Sequence, residues 1–295
     1  MRAFLLIGAL VAPLSAFGYP IAISTRAADG TRGKQVFLDP AALSLENREL
    51  ADPQYAGAKK WYRGVLLEAL FEKAPPAAGA DLALLHFQNG MLIPVRFRSA
   101  DELKKLGVFL AVGIADRAPE QGGTFTEKFP PATRLDATGP ERRPLTFDGS
   151  KVVASAAWHP MVEARATKTF NPWQFADTLV AIEYVRELAW YGQFDYGAAT
   201  RAGLAVFKGR CQFCHGVQKV GASYGWDVAE PYPLYKHRAP KSLALHTRYR
   251  ERDAAERGLM MPAFPEISIP EVEAIWKWFE AAGTTEQPRY SLTAP

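Results

Sequence analysis

The chain has 295 residues, of which 48% are apolar, and this is enough for two ordinary domains with buried cores. Its 35 basic and 31 acidic residues give a net charge of +4, a balance that gives no support for nucleic-acid binding. The chain contains two cysteines, which excludes an all-thiolate zinc site and a second disulfide.

The first 18 residues have the pattern of a secretory signal peptide. A positive charge precedes an almost wholly apolar run, residues 3–12, and Ala16 and Gly18 put small residues at the two positions that a signal peptidase reads. The run is shorter than the roughly 20 residues that a membrane span needs. We therefore expect cleavage before Tyr19, a periplasmic protein, and no membrane span in the mature chain.

The part of the chain over 19–190 is predicted to form an α+β domain. Asn89-Gly90 between two apolar runs is a strong hairpin signal. A capping box at Ser99 to Glu102 predicts a brief helix, and the Pro- and Gly-rich stretch 119–149 predicts a long loop. The predicted strands cover 82–87, 91–97, 108–115, 151–158 and 178–185, and the spacing of Trp61, Val65, Leu66, Ala69 and Leu70 predicts a short helix beginning near Gly64.

Several of these N-terminal segments follow the order found in a known domain. They are Tyr62-Arg63-Gly64-Val65-Leu66, the hairpin at Asn89-Gly90, Asn171-Pro172-Trp173 and the strand at 181–185. Over about residues 30–186 this order resembles the molybdopterin-binding domain of the sulfite oxidase type. That family holds its metal through a protein cysteine, and both cysteines of this chain belong to the C-terminal motif described next. We therefore do not expect a molybdopterin cofactor, and we expect the domain to dock a partner.

The segment Cys211-Gln-Phe-Cys214-His215 is the attachment pattern of a c-type haem. Each thiol can add across one haem vinyl group, and the adjacent imidazole then lies under the iron as its proximal ligand. The alternatives are a redox dithiol and half of a zinc site. A zinc site would want further Cys or His at recurring spacing, and no βαβ pattern flanks the pair. The sequence therefore predicts one covalent haem c on Cys211, Cys214 and His215.

A proline-stiffened loop, Met260-Met261-Pro-Ala-Phe-Pro, offers the second axial ligand of the iron. A thioether opposite histidine favours the reduced iron and raises its potential, as in electron-carrying cytochromes. Because a proline directly after Met261 fixes the loop there, Met261 is the predicted distal ligand and Met260 is the alternative. His237 and His246 keep bis-histidine ligation open as a further alternative.

Two helices are predicted to hold the haem edge. The first is capped by Asp195 and runs toward the haem motif, with Gly203 interrupting its apolar face where a bulky partner could approach closely. The second opens at the capping box Ser268-Ile-Pro-Glu271, carries Trp278, and is expected to end at Gly283. We expect these helices to pack across each other.

Over about residues 196–283 these features resemble the class I cytochrome c family. The resemblance rests on Cys211, Cys214, His215 and Met261 as haem contacts, and on Gly203, Phe207 and Trp278 as helix-crossing positions. It implies an all-α monohaem domain over 191–295. The predicted fold class is therefore multidomain: an N-terminal α+β domain with a sulfite oxidase-like sheet, followed by an all-α class I cytochrome c domain.

Anionic haem propionates need partners if they are partly buried, and guanidinium groups suit carboxylates. At least one of Arg238 and Arg248 is the predicted partner, although a solvated basic face explains each arginine equally well. The loop from Gly221 to Tyr235 is longer and more aromatic than usual for the resembled family, and its Trp226 is a further candidate donor.

The leading functional hypothesis is a periplasmic cytochrome that relays single electrons from a donor redox protein to an acceptor. Six-coordinate iron has no open position for a substrate, which favours electron transfer over catalysis. The alternative is a haem-containing oxidoreductase or dehydrogenase subunit that oxidises a small substrate, such as a sulfur oxyanion, in the N-terminal domain. A third hypothesis is a non-catalytic subunit of a dehydrogenase or oxidase complex.

Overall fold

A computed structural model describes residues 21–27, 31–38, 42–51, 59–97, 102, 107–125, 133–135, 144–146, 159–161, 172–176, 179–248, 261, 264 and 266–285. The predicted signal peptide, Ser99 of the first capping box, the strand at 151–158 and Met260 lie outside these residues.

Strands dominate the first two thirds of the described chain and helices the last third. The strands are β1 (Ile21–Thr25), β2 (Val36–Leu38), β3 (Glu46–Ala51), β4 (Lys59–Leu66), β5 (Leu82–Phe87), β6 (Leu92–Arg96), β7 (Phe109–Ala115), β8 (Thr133–Leu135), β9 (Pro144–Thr146), β10 (His159–Met161), β11 (Leu179–Val185), β12 (Gly216–Val217) and β13 (Val220–Gly221). The helices are α1 (Leu67–Lys73), α2 (Glu187–Gly192), α3 (Arg201–Val206), α4 (Leu234–His237), α5 (Pro240–Arg248) and α6 (Ile269–Thr284).

A five-stranded sheet of order β2-β1-β11-β5-β6 is packed on both faces. One face places Ile23, Leu85 and Ile182 in a core with the four-stranded sheet β10-β7-β4-β3. The opposite face places Leu82 and Leu84 in a second core with the C-terminal helices. Because successive side chains of a strand point to opposite faces, a strand covered on both sides has a nearly continuous apolar sequence, as β5 does.

The hairpin predicted at Asn89-Gly90 is confirmed. β5 and β6 are antiparallel, and the turn between them contains both residues, with Gly90 at a φ of +87°. The Gly90 N–H donates to the Phe87 carbonyl at 2.9 Å. A positive φ of this size suits glycine, which explains the local signal.

The short helix predicted from Trp61 is wrong in its first half. Residues 59–66 form β4, which lies between β3 and β7, and the helix begins only at Leu67. Gly64 lies inside the sheet, where a Cβ atom would be 2.9 Å from the Ala111 Cα atom, rather than at a helix start. Pairing on both edges of β4 therefore overrides the helical spacing of its apolar residues.

The predicted fold class, a sulfite oxidase-like α+β domain followed by an all-α class I cytochrome c domain, is wrong. The N-terminal region is a mixed, sheet-rich arrangement in which β1 and β11 are parallel and β5 is antiparallel to both of its neighbours. The described C-terminal residues contain few helices, of which α3, α4 and α5 have only 6, 4 and 9 residues, and they also contain the β12–β13 hairpin. Glycines at 216, 221 and 225 and prolines at 231 and 233 favour turns over helix in this segment.

The predicted contact between two C-terminal helices is present, although the first helix begins later than expected. α3 starts at Arg201 and is preceded by a 3-10 helix, Ala198–Thr200, and in the turn before it the Asp195 carboxylate accepts a hydrogen bond from the Gly197 N–H at 3.0 Å. Gly203 lies against α6, where a Cβ atom would come within 2.6 Å of the Trp278 Cβ atom and closer still to the Ala274 carbonyl oxygen.

α6 begins at the predicted capping box. The Ser268 Oγ atom accepts from the Glu271 N–H at 3.4 Å, and the Glu271 carboxylate accepts from the Ser268 N–H at 2.8 Å. The expected exit at Gly283 is wrong by a residue, since the helix continues through Thr284. Gly283 instead gives room for the ring of Tyr235, which a Cβ atom would meet. None of the helices in the described ranges combines the length and apolarity that a bilayer crossing requires.

Candidate functional site

The Cys211, Cys214 and His215 side chains lie at the end of one continuous helical segment. α3 runs directly into a π-helical turn, Phe207–Cys211, and the chain then turns back on itself. The Cys211 carbonyl accepts from the Cys214 N–H at 3.1 Å and from the His215 N–H at 2.9 Å. Cys211, Cys214 and His215 therefore share a single compact turn of the backbone.

Both thiols are free and protonated at neutral pH. Burial raises the pKa of Cys211 to about 12, with a smaller contribution from Cys214 and an opposing one from Arg210. Burial likewise raises the pKa of Cys214 to about 12. A reactive redox dithiol needs at least one thiol with a depressed pKa, so this environment argues against that alternative.

The orientation of His215 is fixed by the loop that follows the β12–β13 hairpin. Its Nδ1 atom lies 2.7 Å from the Trp226 carbonyl oxygen, and because a carbonyl only accepts, Nδ1 carries the proton. Burial lowers the pKa of the imidazole, against the opposing effects of this hydrogen bond and of Asp227. The neutral ring therefore keeps the lone pair on Nε2, the form in which a histidine ligates a metal.

Gly225 provides the surface on which the imidazole rests. A Cβ atom there would lie 2.5 Å from His215 Cε1 and 2.8 Å from Nδ1, well inside van der Waals contact. The Gly225 N–H also donates to the Cys214 carbonyl at 2.6 Å. Sequence reasoning missed this residue, although a glycine one residue before the predicted Trp226 was an available signal.

Asp227 holds the same loop in shape. Its carboxylate accepts from the N–H groups of Gln218 at 3.0 Å, Lys219 at 2.6 Å and Ala229 at 2.8 Å. Gln218 and Lys219 form the hairpin turn and have positive φ values of 51° and 66°, which side chains rarely adopt. The carboxylate thus stabilises a strained turn beside the haem motif. Aspartate commonly accepts from nearby backbone N–H groups in turns, and this was the one sequence signal for it.

Met261, the predicted distal ligand, is half-buried and borders the same hydrophobic cluster as Cys211. The loop after it is attached to α5, because the Phe264 N–H donates to the Thr247 carbonyl at 2.7 Å. Met261 and Cys211 therefore border one core, whereas Cys214 belongs to the other core, with Phe87 and Met91.

An ion pair joins these two segments as well. Arg210, which precedes Cys211, lies 3.2 Å from the Glu266 carboxylate and 3.7 Å from that of Glu271. Glu266 follows the methionine loop, and Glu271 belongs to the first turn of α6. A single guanidinium group therefore links the start of the haem motif to the end of the loop that carries Met261.

Three other predicted site residues, Trp226, His237 and Arg238, have exposed side chains. The Trp226 indole is 86% exposed, and it is the carbonyl of this residue that contacts His215. Arg238 is exposed directly after α4, and Arg248 is the last residue of α5. His237 is exposed, with its ring 5.8 Å from that of Tyr232. Binding of the haem propionates by Arg238, Arg248 or Trp226 stays a prediction.

The donor set fits a covalently bound haem. Two protonated thiols, an imidazole with its Nε2 lone pair available and a thioether are the groups that such a haem requires. The His215 imidazole occupies space that a side chain at position 225 would fill. Among the described residues, no cluster of three or more His, Cys, Asp or Glu side chains is placed to hold a metal ion directly. No protein-family model and no curated protein matches this chain.

Proposed function

We propose that the protein is a periplasmic c-type cytochrome that relays single electrons between a donor and an acceptor redox protein. One haem would be bound through Cys211 and Cys214, with His215 as its proximal ligand. The observation that carries this proposal is the turn that presents both thiols beside an imidazole whose Nδ1–H is committed to the Trp226 carbonyl.

The thiols supply the covalent attachment. Each would add its S–H bond across a haem vinyl group, the sulfur bonding one carbon and the hydrogen ending on the other, so the step needs no oxidant. Burial raises the pKa of Cys211 and Cys214, so both S–H bonds are intact at neutral pH. When bound, the haem iron supplies a one-electron Fe(III)/Fe(II) couple.

The residues that would hold the iron, His215 and Met261, would determine how that couple behaves. The hydrogen bond from His215 Nδ1–H to the Trp226 carbonyl makes the imidazole a better electron donor through Nε2. Met261 would close the opposite side with a soft sulfur, which favours the reduced iron. Its place beside the cluster that Cys211 borders supports this assignment.

The test is to express the full chain with its leader in a bacterium that attaches haem c, and to analyse the exported protein. We expect one haem per chain by pyridine haemochrome spectroscopy, one iron and no molybdenum by elemental analysis, and a pigment that acid–acetone does not extract. Cys211→Ala with Cys214→Ala should lose the covalent pigment, while the exposed-histidine control His237→Ala should keep it.

A colourless wild-type protein, or a pigment that acid–acetone removes, would contradict covalent attachment. Ready binding of CO by the native reduced protein would contradict closure of the iron by Met261. Stoichiometric molybdenum would favour an enzyme over an electron carrier.

A further inference from the structure

The β5–β6 hairpin is hydrogen-bonded to two parts of the candidate site, the haem motif itself and the loop that follows it. The Gly90 carbonyl accepts from the Ser223 N–H at 2.8 Å and from the Tyr224 N–H at 3.1 Å. Two residues further on, the Leu92 N–H donates to the Phe213 carbonyl at 3.0 Å. These are backbone hydrogen bonds, so they fix the path of the C-terminal chain and not merely a side-chain rotamer.

Gly90 makes this contact possible in two ways. Its φ of +87° lies in the left-handed region that favours glycine. A Cβ atom there would lie 2.7 Å from the Ser223 Oγ atom and 2.9 Å from the Tyr224 backbone nitrogen. The second obstacle is backbone, which cannot turn aside as a flexible side chain could.

The cysteine side of the motif touches the same hairpin. Cys214 is 9% exposed and belongs to the hydrophobic cluster that contains Phe87 and Met91, the residues on either side of the turn. Phe213 packs against that cluster as well. The turn therefore contacts the motif on the thiol side and on the loop side at once.

The path from the turn to the imidazole is short. Tyr224, held by Gly90, is followed by Gly225, on which the His215 ring rests, and then by Trp226, whose carbonyl accepts the Nδ1–H. A displacement of the loop at Tyr224 must therefore change the hydrogen bond at Trp226, two residues away.

We infer that the β5–β6 turn is a positioning element of the haem site, with Gly90 as its positioning residue. By holding residues 223–226, the N-terminal sheet sets the strength of the hydrogen bond to His215 and with it the redox potential of the iron. A weaker bond makes the imidazole a poorer donor, stabilises the ferric state less, and raises the midpoint potential. This inference rests on the proposed function and gives the N-terminal sheet a role in it.

The experiment compares Gly90→Ala with Gly79→Ala in the full-length, haem-loaded protein. Gly79 is a matched control, since its φ is +85° and no described atom lies within 4 Å of a Cβ built on it. Both variants carry the same left-handed backbone cost, and only Gly90→Ala collides with the loop. We expect a midpoint potential more positive than wild type for Gly90→Ala and unchanged for Gly79→Ala. The NMR signals of the His215 ring should shift in Gly90→Ala alone.

Equal potentials and equal His215 signals in the two variants would overturn the inference. If Gly90→Ala yields no folded holoprotein, Asn89→Ala loosens the same turn without a collision, because it removes the side-chain oxygen that accepts from the Met91 N–H at 3.1 Å. That variant must then show a positive shift, and an unchanged potential would overturn the inference. A wild-type protein without haem would defeat the proposed function instead, so the two failures are distinguishable.

Discussion

At His215, the position of an imidazole depends on a neighbour that has no side chain. Gly225 lies against the ring, and the residue after it supplies the hydrogen-bond acceptor. Two consecutive residues, Gly225 and Trp226, thus determine the packing and the hydrogen bond of the ring. A movement of the loop that alters one of these contacts is expected to alter the other.

Gly225→Ala should therefore disturb the ring directly. Forcing an extra methyl group into a packed site typically costs about 1–3 kcal/mol, and we expect that loss in the free energy of unfolding of the holoprotein, with a shifted midpoint potential. Guanidinium titrations followed by haem absorbance would measure the first effect. Gly209→Ala is the control, because the described structure leaves open space around a Cβ built there. Equal stability of the two variants would contradict the close packing of the ring.

The haem motif and its neighbours differ in how far they could be predicted. Cys211, Cys214 and His215 were identified as candidates because haem attachment depends on spacing within five residues, which a sequence displays directly; their role stays a proposal. Gly225 and Asp227 were missed because their roles depend on a loop that returns to the motif, and loop paths follow from tertiary contacts. Trp226 was predicted through its side chain, whereas the structure places its carbonyl at the imidazole.

Among the elements, the crossing of α3 and α6 depends on one close approach of backbones. Gly203 meets the chain of α6 at Ala274, and the Phe207 ring lies 4.5 Å from that of Trp278 by ring centroids. The Trp278 indole N–H donates to the Phe194 carbonyl at 2.9 Å, so this fully buried side chain has its polar atom satisfied.

Gly203→Ala should separate these two helices. We expect unfolding free energy to fall by about 1–3 kcal/mol, since the new methyl group meets backbone and not a flexible side chain. Chemical denaturation monitored by tryptophan fluorescence would measure the loss. Gly192→Ala, at the last residue of α2, is the matched control because nothing in the described chain lies near its Cβ position. A loss no larger than that of the control would mean that the helices do not pack as closely as described.

Local signals explain which elements were predicted correctly. The β5–β6 hairpin contains its own turn residues, and α6 begins at its own capping box. Both elements could therefore be predicted without information about residues far away in the sequence. β4 was mistaken for a helix because its apolar spacing fits both periods, and only its pairing with β3 and β7 decides between them.

At the scale of the molecule, a buried ion-pair group lies within the five-stranded sheet. Glu183 of β11 is 2% exposed and lies 2.9 Å from Arg26 and 3.3 Å from Arg32, with the His86 Nε2 atom at 3.8 Å. Burial raises the pKa of Glu183, but His86, Arg26 and Arg32 outweigh that effect and lower it from 4.5 to about 2. The ionised carboxylate is therefore favoured in the folded protein.

Acid should weaken the fold through this group. A carboxyl whose pKa is lower when folded stabilises the protein fully above about pH 4.5 and loses that contribution as the pH falls toward about 2. Glu183→Gln should lower the unfolding free energy at pH 7 by roughly 3–5 kcal/mol, the usual cost of breaking a buried pair, and should flatten its decline with acid. Denaturant titrations between pH 7 and pH 3 would measure both. The exposed Glu49→Gln is the control, and a curve for Glu183→Gln parallel to wild type would contradict this account.

The fold class was predicted wrongly for a reason that operates at this largest scale. The C-terminal pattern was interpreted as a self-contained helical domain, because its motifs resemble those of one. In the structure the C-terminal helices pack against Leu82 and Leu84, which belong to a sheet far away in the sequence. The described segments between these helices are turns and short helices. Which face of a strand meets which helix is decided by the folded chain as a whole, and no single segment contains that information.

Because the five-stranded sheet is covered on both faces, adjacent residues of β5 pack in different hydrophobic cores. Leu84 points toward the helices around the haem motif and Leu85 toward the other sheet, although one peptide bond separates them. We expect a substitution of Leu84 to disturb the core that Cys211 and Met261 border, and the same substitution of Leu85 to disturb the core that contains Cys214. A change of side-chain volume at Leu84 or at Leu85 would thus be met by a different set of neighbours.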